Sequence, residues 1–466
     1  MNTTTARRKV ALLTAILLLA AVVPGLAQTQ NPDPQQLLEQ IKALQQQLAA
    51  QQEQNRQLQQ QLQELQGTVS ALAETQKKQG AEIEKIPEKV VEHAPVKPAG
   101  KEKIFIKGFV SATFFAQDAD FVFGNGQNAE FPRAEYDRNE WFTGGDVRNT
   151  RLDIGFNGPM LAKWSSGGLV EVDFFGGYNG TGAFSHQQPH LRLRLAYLEL
   201  KKNRTKIRFG QDWSPLFGEW PISSSHIAFP LGYGSAGYVG WRFPGFYIWQ
   251  GLNSKDAPVK FQFQGGIFEG SWNGPGPPTS SLSAGNVGFN PQFEARLNIL
   301  GKGWKVYMVG HYDRKDLKGV GEIVPDPPID DSITGTAFEL GAKFTPGNWL
   351  LHGNIYWGQG IGQQFGAITQ FGDIASWGGW FQVGYNFTDH WSLYGFYGME
   401  DPDNDDVLTW IGDGGRMENT MYNLHLRYAI GPYWFGLEYL HDELKVGPEE
   451  DTVKGNQFAL SWLYKF

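Results

Sequence analysis

Five large apolar side chains, Phe458, Leu460, Trp462, Tyr464 and Phe466, fall on every second position at the end of the chain. Gln457, Ala459, Ser461, Leu463 and Lys465 fill the positions between them. This is the pattern of a β-strand with period 2, one face large and apolar and the other smaller and more polar. A soluble sheet gives no reason to set Trp, Tyr and Phe in one row on a final strand. A strand that turns that row to lipid, with aromatics at the membrane interface, does. The rest of the chain must then supply the other strands of a barrel.

The beginning of the chain reads as an export signal. Arg7, Arg8 and Lys9 precede the apolar run Val10–Val23, and Pro24, Gly25, Leu26 and Ala27 suit cleavage after Ala27. The run of 14 residues falls short of the ~20 that a membrane-spanning helix needs. No long apolar stretch follows. A mean hydropathy of −0.38 does not count against a barrel, whose hydrophobicity is hidden in alternation. Aromatic residues make up 14%, with 16 Trp and 58 Gly, which suits interfacial girdles and tight strand packing. The absence of cysteine fits an exported chain without disulfides. Without residues 1–27 the chain has 37 basic and 48 acidic residues, a net charge of −11, which excludes nucleic acid as a natural partner.

Three segments follow the signal. Residues 28–86 contain a Gln/Leu-rich heptad region. Ile41, Leu48, Asn55, Leu62, Val69, Gln76 and Ile83 fall on a positions, and Leu37, Leu44, Gln51, Leu58, Leu65, Leu72, Gln79 and Ile86 on d. A register sustained this long predicts an oligomerising coiled coil, with the polar layers setting register. Residues 87–103 hold Pro87, Pro95 and Pro98 and read as an extended linker. Residues 104–466 alternate throughout and predict an all-β transmembrane barrel of sixteen antiparallel strands, at 104–115, 147–157, 167–175, 190–200, 204–211, 239–251, 258–268, 291–299, 303–312, 333–344, 348–357, 377–387, 390–399, 418–429, 432–441 and 456–466. Long connections follow the odd strands, and short ones such as Lys201–Asn203, Thr345–Gly347 and Ile430–Gly431 follow the even ones. Strict alternation of long loops and short turns is the layout of a bacterial barrel with periplasmic turns. It puts the coiled coil in the periplasm. A barrel of this size is wide enough for an aqueous channel. The long, aromatic and Gly/Ser-rich connection Asp212–Tyr238 is the candidate for a loop folded into the lumen; a loop capping the mouth from outside is the alternative.

The stretches TRLDIGFNG (Thr150–Gly158), GLVEVDFFGG (Gly168–Gly177), LRLRLAYLEL (Leu191–Leu200) and RFGQDWSPLF (Arg208–Phe217), together with the heptad region, resemble the DcaP-like porins. That resemblance implies a homotrimeric outer-membrane channel for dicarboxylates, with a periplasmic coiled coil and no cofactor. Its implied partners are outer-membrane lipid and lipopolysaccharide and small anionic solutes. The aromatic final strand ending in Phe466 is similar to the signal read by the barrel-assembly machinery. Phosphate- and pyrophosphate-selective porins share a similar barrel opening and are the closest rival. A different class of reading is a structural anchor whose coiled coil tethers the outer membrane to periplasmic partners.

Strand parity assigns the lumen. Thr150, Leu152, Ile154 and Phe156 facing lipid leave Arg151 and Asp153 inward; Val170, Val172 and Phe174 outward leave Glu171 and Asp173 inward. Leu191, Leu193, Leu195 and Tyr197 outward leave Arg192 and Arg194 inward, and Ile207 and Phe209 outward leave Lys206 and Arg208 inward. The same test turns Arg242, Arg296, Lys343 and Arg427 inward. Arginines in a narrow channel favour anions and suit planar carboxylates, which accept two hydrogen bonds from one guanidinium. The plainer reading is that they pair with Asp153, Glu171 and Asp173 and brace the wall. The acids are expected to concentrate in loops such as Glu400–Asp406, which begins like a calcium loop but lacks the glycine and distal glutamate of an EF-hand. His186 and His190 flank Pro189 and make a poor metal pair, and His441–Asp442 near Ser461 is the sole hint of hydrolase chemistry.

Overall fold

The computed structural model describes residues 103–466 apart from 125, 127, 134–139, 178–188, 270–289, 317–329 and 450. The export signal, the heptad region, the linker up to residue 102, and His186 lie outside the described residues.

Alternation builds a single antiparallel sheet closed on itself. Its strands are β1 (Lys103–Gln117), β2 (Phe142–Asp146), β3 (Arg151–Leu161), β4 (Trp164–Asp173), β5 (Arg192–Lys202), β6 (Thr205–Trp213), β7 (Arg242–Gly251), β8 (Lys260–Phe268), β9 (Gln292–Gly301), β10 (Trp304–Asp316), β11 (Ser332–Phe344), β12 (Trp349–Gln359), β13 (Ala375–Asn386), β14 (Trp391–Pro402), β15 (Arg416–Ile430), β16 (Tyr433–Val446) and β17 (Asp451–Lys465). β2 and β3 are two pieces of one stave, both lying along β1, so the wall has sixteen staves. β1 meets β17 from Phe109 opposite Lys465 to Gln117 opposite Gln457. That seam is polar on the inside: the Thr113 and Ser461 hydroxyls are 2.8 Å apart, and Gln457 Nε2 donates to Gln117 Oε1 at 3.1 Å.

The two faces of the wall differ as the period demands. On β11, Phe338, Leu340 and Phe344 are exposed while Ile333, Ala337 and Glu339 are buried. On the final strand Phe458, Leu460, Trp462, Tyr464 and Phe466 are 37–52% exposed, and Gln457, Ala459, Ser461 and Leu463 are buried. Apolar side chains thus cover the outside with no protein packed on them, as on a wall embedded in lipid. Among the described residues no helix is long and apolar enough to cross a membrane.

Two readings of the sequence are corrected. In β5, Arg194 is an extra residue: Leu195 lies opposite Glu171 and Leu193 opposite Val172, a β-bulge. Parity reverses beyond it. Leu195 is buried and Tyr197 turns inward against Arg208, while Leu198, 59% exposed, faces out. The acidic run Glu400–Asp406 is likewise not a free loop. β14 continues to Pro402, and Glu400 is fully buried. Asp403 caps a short helix α1 (Asn404–Trp410), its Oδ1 accepting from Asp406 N–H at 3.0 Å, and Asp406 Oδ2 accepts from Ala375 N–H at 2.9 Å. Carboxylates committed to capping are not arranged as a calcium loop.

Candidate functional site

The chain between β6 and β7, Ser214–Trp241, lies inside the barrel and runs round its inner wall. Its first contact is with β9, where Leu216 N–H donates to Glu294 Oε2 at 2.6 Å and Arg296 Nη1 donates to Pro215 O at 2.9 Å. Glu219 then bridges Lys305 at 2.6 Å and Lys343 at 3.3 Å. Burial pushes the Glu219 carboxyl up, but those two ammonium groups outweigh it and hold it below the ordinary carboxylate range. Ile222 N–H donates to Gln382 Oε1 at 2.7 Å on β13. On β16 Glu438 accepts from Ser224 N–H at 2.7 Å, Ser225 N–H at 2.8 Å and Ser223 Oγ at 2.7 Å. The loop then reaches β3 and β5: Arg151 Nη2 donates to Ile227 O at 3.2 Å and Arg194 Nη1 to Ala228 O at 3.4 Å. Its last turn crosses to β12 and β14. There Asn354 Nδ2 donates to Gly237 O at 3.0 Å, and Gly237 N–H donates to Glu400 at 3.2 Å. Gly237 has φ +81°, and a Cβ there would stand 2.1 Å from Gly379 N, so this approach demands glycine.

Apolar packing seals the loop's own ring. Phe217, Phe229, Leu231, Tyr233 and Tyr238 join Trp380, Phe396, Met421 and Leu440 of the wall in the largest apolar cluster. Stacked and edge-on pairs run through it, such as Phe217–Tyr238 at 4.9 Å and Phe229–Trp241 at 6.0 Å. Pairs of this kind add about 0.5–1.5 kcal/mol each beyond area burial.

The basic residues named from the sequence fall into separate groups. Arg151, Arg192, Arg194 and Arg242 converge on Glu171 and Asp173. Arg192 grips Asp173 with Nε at 3.0 Å and Nη2 at 2.7 Å; Arg194 joins Glu171 at 2.5 Å and Asp173 at 2.7 Å; Arg151 lies 3.8 Å from Glu171. Arg194 is completely buried and Arg242 is 4% exposed, whereas the Arg192 side chain keeps 19% exposure and that of Arg151 12%. Arg242 lies over the rings of Trp241 at 4.1 Å and Trp213 at 4.9 Å, and its Nε and Nη1 have no hydrogen-bond partner among the described residues. Asp153 shares this wall, with its Oδ1 also unpartnered. A second group lies nearer the short turns. Arg208 bridges Glu199 at 2.8 Å and Asp212 at 2.7 Å, and Lys206 sits 3.5 Å from the centre of the Trp249 ring. Arg296 stands apart beneath the loop, 3.5 Å from the Tyr307 ring, and Arg427 lies across the barrel between Tyr394 and Trp434.

The latches Glu219, Glu294 and Glu438 were not singled out in the sequence, and Glu400 reads there as the start of an acidic loop. For Glu294 and Glu438 parity on β9 and β16 was the available signal. No metal-binding group of three or more His, Asp or Glu occurs among the described residues. His441 and Asp442 sit on opposite faces of β16, and Ser461 is engaged with Thr113 across the seam.

No family model and no curated protein matches the chain. Solved structures do. The outer membrane channel DcaP of Acinetobacter baumannii superposes with a TM-score of 0.58 at 16% identity, over 80% of this chain and 100% of that one. An anion-selective porin from Comamonas acidovorans gives 0.52 at 12% identity, over 78% and 100%. OmpF of Salmonella typhi, in complex with daunomycin, gives 0.50 at 14% identity, over 78% and 98%. At such identities the likeness speaks of architecture, and the architecture of this chain is that of the outer-membrane porin barrel.

Proposed function

We propose that the protein is a passive outer-membrane channel that prefers small anionic solutes, dicarboxylates foremost, and works without cofactor or reaction. The observation that carries this is a charge surplus beside the in-folded loop. Four guanidinium groups, Arg151, Arg192, Arg194 and Arg242, meet three carboxylates, Asp153, Glu171 and Asp173, and Arg242 keeps two unpartnered N–H donors. A guanidinium fork presents two parallel donors to a carboxylate, so a dianion with two planar ends suits this wall. That one solved neighbour is an anion-selective porin supports the same reading. The heptad region would hold three copies together on the periplasmic side. In this reading Arg192 and Arg208 touch the solute, while Arg194 fixes Glu171 and Asp173 behind them.

Reversal potentials in salt gradients across planar bilayers test it. The native channel should favour chloride over potassium, and added succinate should block it. Arg192→Ala with Arg194→Ala removes two cations, leaves Asp173 without its ion pairs and Glu171 with Arg151 alone at 3.8 Å, so selectivity should move toward cations. A native channel selective for cations would overturn the proposal.

A further inference from the structure

At the short-turn end of the barrel Arg204, Lys255 and Lys260 surround a cavity of about 210 Å³, with Gln262 beside them and Leu300 at its edge. Register puts this cavity on the lumen. Lys260 lies opposite Leu300, and Gln262 and Gln264 follow on the same face. Gln264 lies opposite Arg296, whose guanidinium holds the in-folded loop at Pro215 O. Gly251 lies opposite Gln262 and shares that face. A Cβ there would stand 3.1 Å from the Cβ of Arg204, so the Arg204 stem runs over Gly251 on the lumen side. Arg204 also keeps the parity of Lys206 and Arg208. The β7–β8 connection that carries Lys255 is fixed by Asn253, its Nδ2 donating to Val259 O at 2.8 Å and its Oδ1 accepting from Phe261 N–H at 3.0 Å.

Cations further along this wall have counterions: Arg208 has Glu199 and Asp212, and Lys305 and Lys343 share Glu219. Arg204, Lys255 and Lys260 are exposed and make no salt bridge among the described residues, and no carboxylate lines their cavity. Leu300, opposite both Lys260 and Lys305, separates them from the Glu219 pairs. Gln262 Oε1 accepts from Asn298 Nδ2 at 3.5 Å, and its Nε2 makes no hydrogen bond among the described residues. Three positive charges and an amide donor, with no acid among them, suit an oxyanion that carries more than one negative charge. Ammonium groups act as point charges without the fixed fork of a guanidinium, so they can follow a moving carboxylate. One water needs about 10–15 Å³, so the cavity has room for a solute of several heavy atoms. From Arg208 to Arg204 the strand descends roughly 13 Å at ~3.3 Å per residue.

Resting on the reading of the barrel as an anion channel with its short turns in the periplasm, we infer that this cavity is a second solute site. It holds a small dicarboxylate among Arg204, Lys255 and Lys260 at the periplasmic exit, after the solute has left Arg208. Ion pairs with exposed cations are weak in water, so the site loads and empties quickly, as an exit must. It also makes the channel sided. A dicarboxylate arriving from the periplasm meets these three cations before it meets the in-folded loop.

The full chain, inserted in planar bilayers in one orientation in potassium chloride, is titrated with succinate from the short-turn side and the block of current is read. Succinate should block at roughly tenfold lower concentration than propionate, which carries a single charge. The triple variant Arg204→Ala, Lys255→Ala, Lys260→Ala should raise the half-blocking concentration of succinate from that side about tenfold and leave block from the long-loop side as it was. A control triple, Lys103→Ala, Lys163→Ala, Lys302→Ala, removes the same charge from the same rim outside the cavity and should leave both unchanged. An unaffected cavity variant, a control as damaging as the cavity variant, or propionate blocking as well as succinate would overturn the inference. Reversal potentials in the same bilayers keep the two readings apart. A cation-selective native channel sinks the anion channel itself, whereas an anion-selective channel whose short-turn block ignores the cavity variant sinks the exit site alone.

Discussion

His226 shows how one residue can tie the loop to pH. It is 1% exposed, its Nδ1 lies 2.9 Å from Ser225 Oγ, and its Nε2 has no partner among the described residues. Burial pulls its pKa from 6.5 down to about 4, against the nearby Glu438 carboxylate, a hydrogen bond with the Ala129 backbone, and with His425 adding a small downward push. A loop released from the wall would let the imidazole titrate near 6.5. Between the two values the released loop takes a proton that the docked loop does not, so docking is strongest above pH 6.5 and weakens as pH falls toward 4. A span of that size is worth ~3 kcal/mol. Glu219 does not blur this window: its lowered pKa keeps its contribution intact until pH drops below the ordinary carboxylate value of 4.5. Single-channel traces should therefore grow noisier and more conductive between pH 6.5 and 4.5. His226→Gln should flatten that response, and an unaltered pH profile in this variant would refute the assignment.

At the scale of the element, the loop Ser214–Trp241 is held by carboxylates that receive its backbone N–H groups. Glu438→Ala orphans the buried Ser224 N–H and leaves Ser225 N–H and the Ser223 hydroxyl with only longer partners, at 3.2 and 3.5 Å, and Glu294→Ala orphans the Leu216 N–H. Each stranded donor costs about 1–3 kcal/mol. Glu438→Ala should release the middle of the loop and raise conductance more than Glu294→Ala does, with both barrels still resisting SDS at room temperature on gels. Equal, native-like conductance in the two variants would show that aromatic packing alone holds the loop. The strands that carry these latches were legible in the sequence because lipid enforces an apolar outward row. The bulge at Arg194 was not: Leu195 and Tyr197 on one parity, and Ala196, Leu198 and Leu200 on the other, are both acceptable to lipid. The latches were equally hidden, since Glu438 answers to Ser224 more than two hundred residues away and only the closed barrel brings them together.

The whole molecule is electrically lopsided. Among the described residues of the long-loop rim Glu140, Asp330, Asp331, Asp403, Asp405, Asp413, Glu449 and Asp451 are exposed, against Arg133, Arg314 and Lys454. At the short-turn rim the exposed charges among the described residues are Lys103, Lys107, Lys163, Lys201, Arg204, Lys255, Lys260, Lys302 and Lys465, against Asp256 and Asp389. If the barrel conducts and sits with its short turns in the periplasm, its outer mouth gathers cations and its periplasmic mouth gathers anions. A voltage positive on the outer side drives both populations inward, so the channel fills with carriers and current is large. The opposite polarity drains it. The effect depends on fields that reach across each mouth. The Debye length is about 10 Å at 0.1 M salt and 3 Å at 1 M, so the asymmetry should be evident in the first and largely gone in the second. Channels inserted in one orientation should show larger current at outer-positive voltage in 0.1 M potassium chloride and a nearly straight current–voltage line in 1 M. Replacing Lys163, Lys201 and Lys302 with Glu should reduce the asymmetry at low salt. A straight line at 0.1 M in the native channel would mean that the two rims do not govern ion entry, and that the arginine wall beside the loop sets the current alone.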